Sequence, residues 1–360
     1  MRQVEFVVQR GFAGALWYIG NEDGAAEPAN MKRIATHVTA MKHVDPTMRV
    51  MWNDNEMDAT KLRSFLSSAA GPLMDGVEFH GKWPFGGSPH LDPASVETYL
   101  EEVPLIDHKM GVAWRDKIAP LRAAAKEMGK TSFLLANNEY GLGKPSAFVG
   151  LGTNWTRYLK SLVAVEFALE MIVGGYDIAA FWDNGDGRAP SNATANAAGS
   201  AQQLGASLND HMLLDTDAAW RMNPMHIGFE LLAAAQRGAR FNVTTSAKRV
   251  HGFAVSIPAA DAAAAAAAAA GVAAATELAL FVLNKYTVPI EITIALPTGR
   301  ACGAPTTHAL ASMVDTQDHW GSMLRAEGGV TCRSSGAAES AQCSCVATLP
   351  ALSLSRADLV

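Results

Sequence analysis

Along the first half of the chain, short apolar runs alternate with segments whose apolar residues recur at helical spacing. Ala15–Ile19, Arg49–Trp52, Gly76–His80, Thr131–Ala136 and Tyr176–Trp182 read as five strands. Between them, Asn30–His43 carries Ile34, Val38 and Met41 on one helical face, and Pro46 stops it. Lys61–Ala70, Ala113–Met128 and Asn154–Val173 continue the alternation as helices. Apolar strands joined by helices predict parallel β/α units. Polar or aromatic residues follow each strand directly: Asn21-Glu22, Asn53-Asp54, His80, Asn138-Glu139 and Trp182-Asp183. Such groups, gathered at the carboxyl ends of parallel strands, suit the active face of a β/α barrel. A doubly wound nucleotide-binding sheet would carry a glycine-rich phosphate loop after a strand, and none is present.

Beyond about residue 190 the period changes. A helix is expected over Pro224–Gln236. Lys248–Ile257, Thr276–Asn284 and Val288–Leu296 then alternate apolar and polar residues, as in Ile290-Glu291-Ile292-Thr293-Ile294. They predict an antiparallel β-sandwich. The alanine tract Ala262–Ala270 falls between two of these strands and reads as a loop insertion, helical or disordered, without chemistry of its own. The organisation expected is therefore part of a (β/α)8 barrel over 1–190, a helix plus β-sandwich over 191–298, and a cysteine-bearing C-terminal extension over 299–360.

Composition narrows the classes. A chain of 360 residues fits two domains at roughly 150 residues each. With 49% hydrophobic and 18% charged residues it is not a disordered chain. A net charge of −6 argues against a nucleic-acid partner. No apolar run suggests a membrane span, and Glu5, Gln9 and Arg10 interrupt any signal-peptide core. Cys302, Cys332, Cys343 and Cys345 all lie beyond residue 300, where disulfides, free thiols or a metal site are the alternatives. Cys343-Ser-Cys345 is too tight for ordinary zinc spacing. Three sequons, at Asn154, Asn192 and Asn242, hint at a secretory route, so a secreted full-length form is expected.

Two strand-end carboxylates, Glu22 and Glu139, stand 139 − 22 = 117 residues apart. Glycosidic bond cleavage needs such a pair, one protonated to release the leaving oxygen and one ionised. On spacing alone, two solvated loop carboxylates are the simpler reading. His80 at its strand end is a candidate substrate or nucleophile contact, or a satisfied loop histidine. Trp83 and Phe85 suit a sugar-stacking platform or loop packing, and Trp182 a subsite floor or core. Asn53 and Asp54 either line the site or are solvated. Asp183 and Asp186 belong to a turn, being a poor match to a calcium loop, and His226 is structural. No metal or organic cofactor is called for.

The local strings add a family resemblance. Trp17-Tyr18-Ile19-Gly20-Asn21-Glu22 resembles the acid/base motif of clan A glycoside hydrolases. Met41–Thr47, Met74–His80 and Asn223–Leu232 are similar to segments of family 51 α-L-arabinofuranosidases, over about residues 5–296. The resemblance implies retaining hydrolysis with Glu22 as acid/base, Glu139 as nucleophile and Asn21 on the sugar 2-hydroxyl. It implies Asn53, His80, Trp83, Asn138, Tyr140 and Trp182 around a polysaccharide or oligosaccharide substrate. It also makes Ala15–Ile19 the fourth barrel strand, so that only strands four to eight are present and the chain is expected to be truncated. Asn138-Glu139-Tyr140-Gly141 departs from the family's Asp-Glu-Trp-Asn, and Phe181–Asn184 departs as well. Agarase-like and other clan A activities stay open, as does a non-catalytic carbohydrate-binding protein. No oligomeric state is assigned.

Overall fold

The computed structural model describes residues 2–20, 28–54, 57–83, 96–101, 105–107, 110–142, 156–181, 214–215, 221–257, 277–296, 306–335 and 342–359. The chain forms two compact units. The first comprises residues 1–85, 104–141 and 170–183; the second comprises 86–103, 142–169 and 184–360.

The first unit opens with an amphipathic helix that periodicity did not single out, α1 (Arg2–Gln9), anchored by buried Val4. Then follow β1 (Leu16–Ile19), α2 (Pro28–Val44), β2 (Arg49–Asn53), α3 (Ala59–Leu66), β3 (Gly76–Phe79) and the short β4 (Lys82–Trp83). After α4 (Val96–Leu100), which belongs to the second unit, and a small hairpin, β5 (Ile106–Asp107) with β6 (Val112–Ala113), come α5 (Trp114–Glu127), β7 (Leu134–Leu142), α6 (Arg157–Gly174), of which only the part from Glu170 belongs to this unit, and β8 (Ile178–Phe181). Strands β1, β2, β3, β7 and β8 pair in that order, every pair parallel. They make a parallel half-barrel. Asp58 caps α3 by accepting from the Lys61 amide at 2.7 Å.

One device recurs at the amino ends of these strands. Asp75 precedes β3 and accepts from the Val50 amide of β2 at 2.8 Å; Lys42 of α2 pairs with the same oxygen at 2.8 Å. Asp177 precedes β8 and accepts from the Leu135 amide of β7 at 2.9 Å; Arg122 of α5 pairs with that oxygen at 3.0 Å. Each aspartate ties its strand to the neighbour, and a helix cation compensates its charge.

The second unit holds the first part of α6, a two-residue hairpin pair β9 (Leu214–Asp215) and β10 (Arg221–Met222), and α7 (Met225–Leu232). Gly228 lets α7 approach α6: a Cβ there would lie 2.4 Å from Val165 Cγ2. Eight antiparallel strands follow: β11 (Ala239–Asn242), β12 (Val250–Ile257), β13 (Glu277–Asn284), β14 (Ile290–Ala295), β15 (Thr306–Val314), β16 (Ser322–Ser335), β17 (Gln342–Leu349) and β18 (Ser353–Leu359). They form one curled sheet in the order β11-β12-β13-β18-β15-β16-β17-β14. Side chains alternate across it. Val250, Ala254, Leu280, Val282, Val330, Ala347 and Ala357 join one buried cluster, while Phe253 and Phe281 stack from the other face with centroids 4.8 Å apart.

The segment 299–360, expected as an extension, supplies four of these strands, and β18 lies between β13 and β15 in the middle of the sheet. The boundary at 298 therefore cuts through a hydrogen-bonded sheet. Its signal was weak because small residues, among them Ala347, Ser355 and Ala357, fill the buried positions. The boundary at 190 is crossed too, since residues 142–169 group with the second unit. Cys332 and Cys345 face each other on β16 and β17 and form a disulfide; Cys343 is disulfide-bonded as well. The alanine tract lies outside the described residues. None of the described helices is long and apolar enough to cross a membrane.

The buried face of α6 carries one fully enclosed ion pair. Lys285 Nζ lies 3.2 Å from Glu166 Oε1, and neither side chain is exposed. Tyr99 packs its ring 4.7 Å from the ammonium and bonds Glu166; burial, reinforced by the nearby carboxylate, holds its hydroxyl well above the ordinary range.

Candidate active site

Strand alternation decides which side chains share the inner face of the half-barrel. In a parallel pair, residues in register point the same way. Asn53 registers with Glu78, and Glu78 with Ala136. Two residues further along, His80 follows Glu78 and Asn138 follows Ala136 on the same side. Tyr18 registers with Met51, two residues before Asn53. The opposite side faces the helices: Trp52 stacks on Phe65 of α3, and Asn137 Nδ2 reaches Met171 Sδ of α6 at 3.9 Å.

Past Asn137 the ladder between β7 and β8 slips, with a register shift before Tyr140. A β-bulge of this kind re-aims side chains. Glu139 is placed beside the imidazole of His80, with Nδ1 3.5 Å from its Oε2. On the other side of the ring, Nε2 stands 3.7 Å from Glu78 Oε2. His80 thus lies between two carboxyls. Its side chain is 4% exposed and that of Glu78 2%, whereas Glu139 is 24% exposed. The buried acid and the accessible acid are in this way distinguished by position.

Burial pushes the Glu78 carboxyl up to about 7, and the Glu139 charge adds to the shift; hydrogen bonds from Asn53 and Asn138 oppose it. Tyr18 is raised as well, mainly by burial and then by Glu78. The backbone holds the cluster in place. Asn137 Oδ1 accepts from the amides of Gly81 at 3.1 Å and Glu139 at 3.3 Å, and Gly141 N–H donates to Gly81 O at 3.2 Å. Gly81 is required there, since a Cβ would lie 2.4 Å from the Trp114 ring and 2.5 Å from Asn137 Nδ2.

Of the candidates read from sequence, Asn53, His80, Asn138 and Glu139 lie together at this end of the sheet. Asn53 is fully buried on the inner face. Tyr140 is 5% exposed and packs edge-on against Phe181, with centroids 5.6 Å apart. Trp83 lies in β4, whose side chains are not described. Asn21, Glu22 and Trp182 lie outside the described residues, as do Phe85 and Asp183. Gly20, just before Asn21, has φ +91°, a conformation that glycine adopts without strain. Glu78 was not among the candidates. Its signal was present, because it stands two residues before His80 and so shares its face, but it sits within an apolar run.

An α-L-arabinofuranosidase from Thermotoga maritima, in complex with arabinose, superposes with TM-score 0.55 at 10% identity, covering 95% of this chain and 65% of that one. The GH51 α-L-arabinofuranosidase of Thermotoga petrophila RKU-1 gives TM-score 0.57 at 11% identity, covering 98% and 69%. The fold is theirs. This chain spans about two-thirds of the length of either arabinofuranosidase. No family model matches its sequence, and no curated protein does.

Proposed function

We propose that the chain carries the catalytic face of a retaining glycoside hydrolase of the arabinofuranosidase type. The observation that carries the reading is Glu139, an accessible carboxylate at the carboxyl end of the fourth strand of a parallel half-barrel, flanked by His80 at 3.5 Å. In this assignment β1, β2, β3, β7 and β8 supply barrel strands four to eight, and the curled sheet is the accompanying sandwich. Glu139 attacks the anomeric carbon while Glu22 gives its proton to the leaving oxygen; the glycosidic bond breaks and a glycosyl ester forms on Glu139. Glu22 then takes a proton from water, which displaces Glu139 and restores both carboxyls. Asn21 holds the 2-hydroxyl, Asn138 and His80 flank the nucleophile, and Trp83 and Trp182 offer apolar ring faces to sugar. Retention requires Glu22 and Glu139 about 5–5.5 Å apart. The disulfides of the curled sheet favour a secreted location.

The test is release of arabinose from an aryl α-L-arabinofuranoside and from arabinan oligosaccharides, with the product anomer followed by proton NMR. The α-anomer should appear first. Glu139→Ala should lower the rate by several orders of magnitude, and added azide should trap a glycosyl azide. Turnover that survives Glu139→Ala would reject the assignment.

A further inference from the structure

His80 has two ring nitrogens and faces a different carboxyl with each. Nδ1 lies 3.5 Å from Glu139, and Nε2 lies 3.7 Å from Glu78. These separations are longer than a closed hydrogen bond, and catalytic contacts of this kind tighten when substrate binds. A neutral imidazole carries one N–H. Which nitrogen bears it depends on what the other nitrogen meets. A carboxylate only accepts, whereas a carboxylic acid also donates.

We propose that Glu78 is a positioning residue: its carboxyl hydrogen, directed at Nε2 of His80, keeps the ring N–H on Nδ1, where it faces Glu139. The contrast in burial supports this. Glu78 is enclosed on the inner face and Glu139 reaches solvent, so of the two the buried carboxyl is the one favoured to hold a proton. The value near 7 brought about by burial agrees. Among the described residues, the groups that bear on Glu78 are Tyr18 of β1, His80 beyond β3 and Glu139 of β7; Asn53 of β2 and Asn138 of β7 are neutral, and the β8 residue in line, Ile178, is apolar. The Lys117 ammonium lies over the ring of Phe79, which alternates to the opposite side of β3.

The consequence for catalysis rests on Glu139 being the nucleophile; the tautomer itself does not. While Glu78 keeps its proton, His80 donates to Glu139 and fixes the carboxylate for attack. Once Glu78 ionises it can only accept, the N–H moves to Nε2, and Glu139 loses its donor. Glutamine at this position would donate to Nε2 permanently.

A rate profile alone does not isolate this step, because the general acid also loses a proton as the pH rises. Long-range proton–nitrogen NMR of the full chain labelled in histidine nitrogen and glutamate carboxyl carbon reads it directly. The His80 signal is assigned by its loss in His80→Asn. On the acid side of the midpoint of the Glu78 carboxyl shift the neutral wild-type ring should be the Nδ1–H tautomer, and on the alkaline side the Nε2–H tautomer. Glu78→Gln should keep its neutral ring Nδ1–H throughout and, where sugar release is measured, extend the active range to higher pH. An Nε2–H ring in wild type on the acid side of that midpoint, or one doubly protonated up to it, overturns the proposal. A midpoint that persists in Glu78→Gln does the same. The wild-type titration decides even if the variant does not fold. Absence of sugar release with the expected tautomer change rejects the glycosidase reading and leaves the role of Glu78 standing.

Discussion

Glu78 is the residue whose placement departs most from what its chemistry prefers. A carboxyl fixed at 2% exposure on the inner face, with a second carboxylate beside the same imidazole, is easier to keep neutral than ionised. The sign of its effect on stability follows from linkage. Its folded value, about 7, lies above the ordinary 4.5, so between these values the folded state holds more proton than the unfolded one. Stability should therefore be highest on the acid side, fall as the pH rises from 4.5 to about 7, and level off above. Glu78→Gln keeps the shape and removes the charge. Urea denaturation of wild type and variant at pH values on either side of this window checks it: the variant should be the more stable above the window, with the advantage vanishing below it. Equal stability at alkaline pH would show that Glu78 is solvated there as well as in the unfolded chain.

At the scale of elements, the half-barrel is built on two ends with different tasks. Asp75 and Asp177 join the amino ends of β2 with β3 and of β7 with β8, far along the strands from His80 and Glu139. Residues at this end of a β/α barrel serve stability, and those at the other end serve chemistry. Asp177→Ala would leave the Leu135 amide without its acceptor and Arg122 without its anion. About 1–3 kcal/mol of stability should be lost, and any sugar-releasing activity per folded molecule should be unchanged. A variant of native stability, or one folded but inactive, would contradict that division. The same elements show what was legible in sequence. The runs at Arg49–Trp52 and Gly76–His80 coincide with β2 and β3 nearly residue for residue, because apolar strands flanked by helical patterns leave little choice. The run at Thr131–Ala136 misplaced its strand: β7 starts at Leu134 and continues through Asn137, Asn138 and Glu139 to Leu142. Asn137 pairs with both neighbours, which overrides its low strand propensity, and Asn138 and Glu139 follow where the register with β8 shifts. The placement of His80 beside Glu139 depends on the bulge in β7, which no local pattern encodes.

For the molecule as a whole, the second unit depends on small residues that make modest core formers. Its curled sheet fills buried positions with Cys332, Cys343, Cys345, Ala347 and Ala357 beside the larger Leu280, Val282 and Leu359. Small side chains remove less apolar area from water, at about 25 cal/mol per Å², so the hydrophobic contribution per strand is reduced. Covalent closure offsets part of this. Cys332 and Cys345 are directly opposed in the β16–β17 ladder, with 13 residues of sequence separation. Closing a loop of this length restricts the unfolded chain by about 3 kcal/mol in the chain-entropy account. Replacing both residues by alanine removes the bond and leaves a small apolar side chain at each site, so overpacking does not complicate the outcome. Urea denaturation of the Cys332→Ala/Cys345→Ala variant should show stability lower by about 2–4 kcal/mol than the oxidised chain. Reduction of the wild type should lower stability by at least as much, because it opens this loop and also the bond made by Cys343. A change below about 1 kcal/mol in both would mean that the ladder and the buried cluster hold the hairpin without the bond.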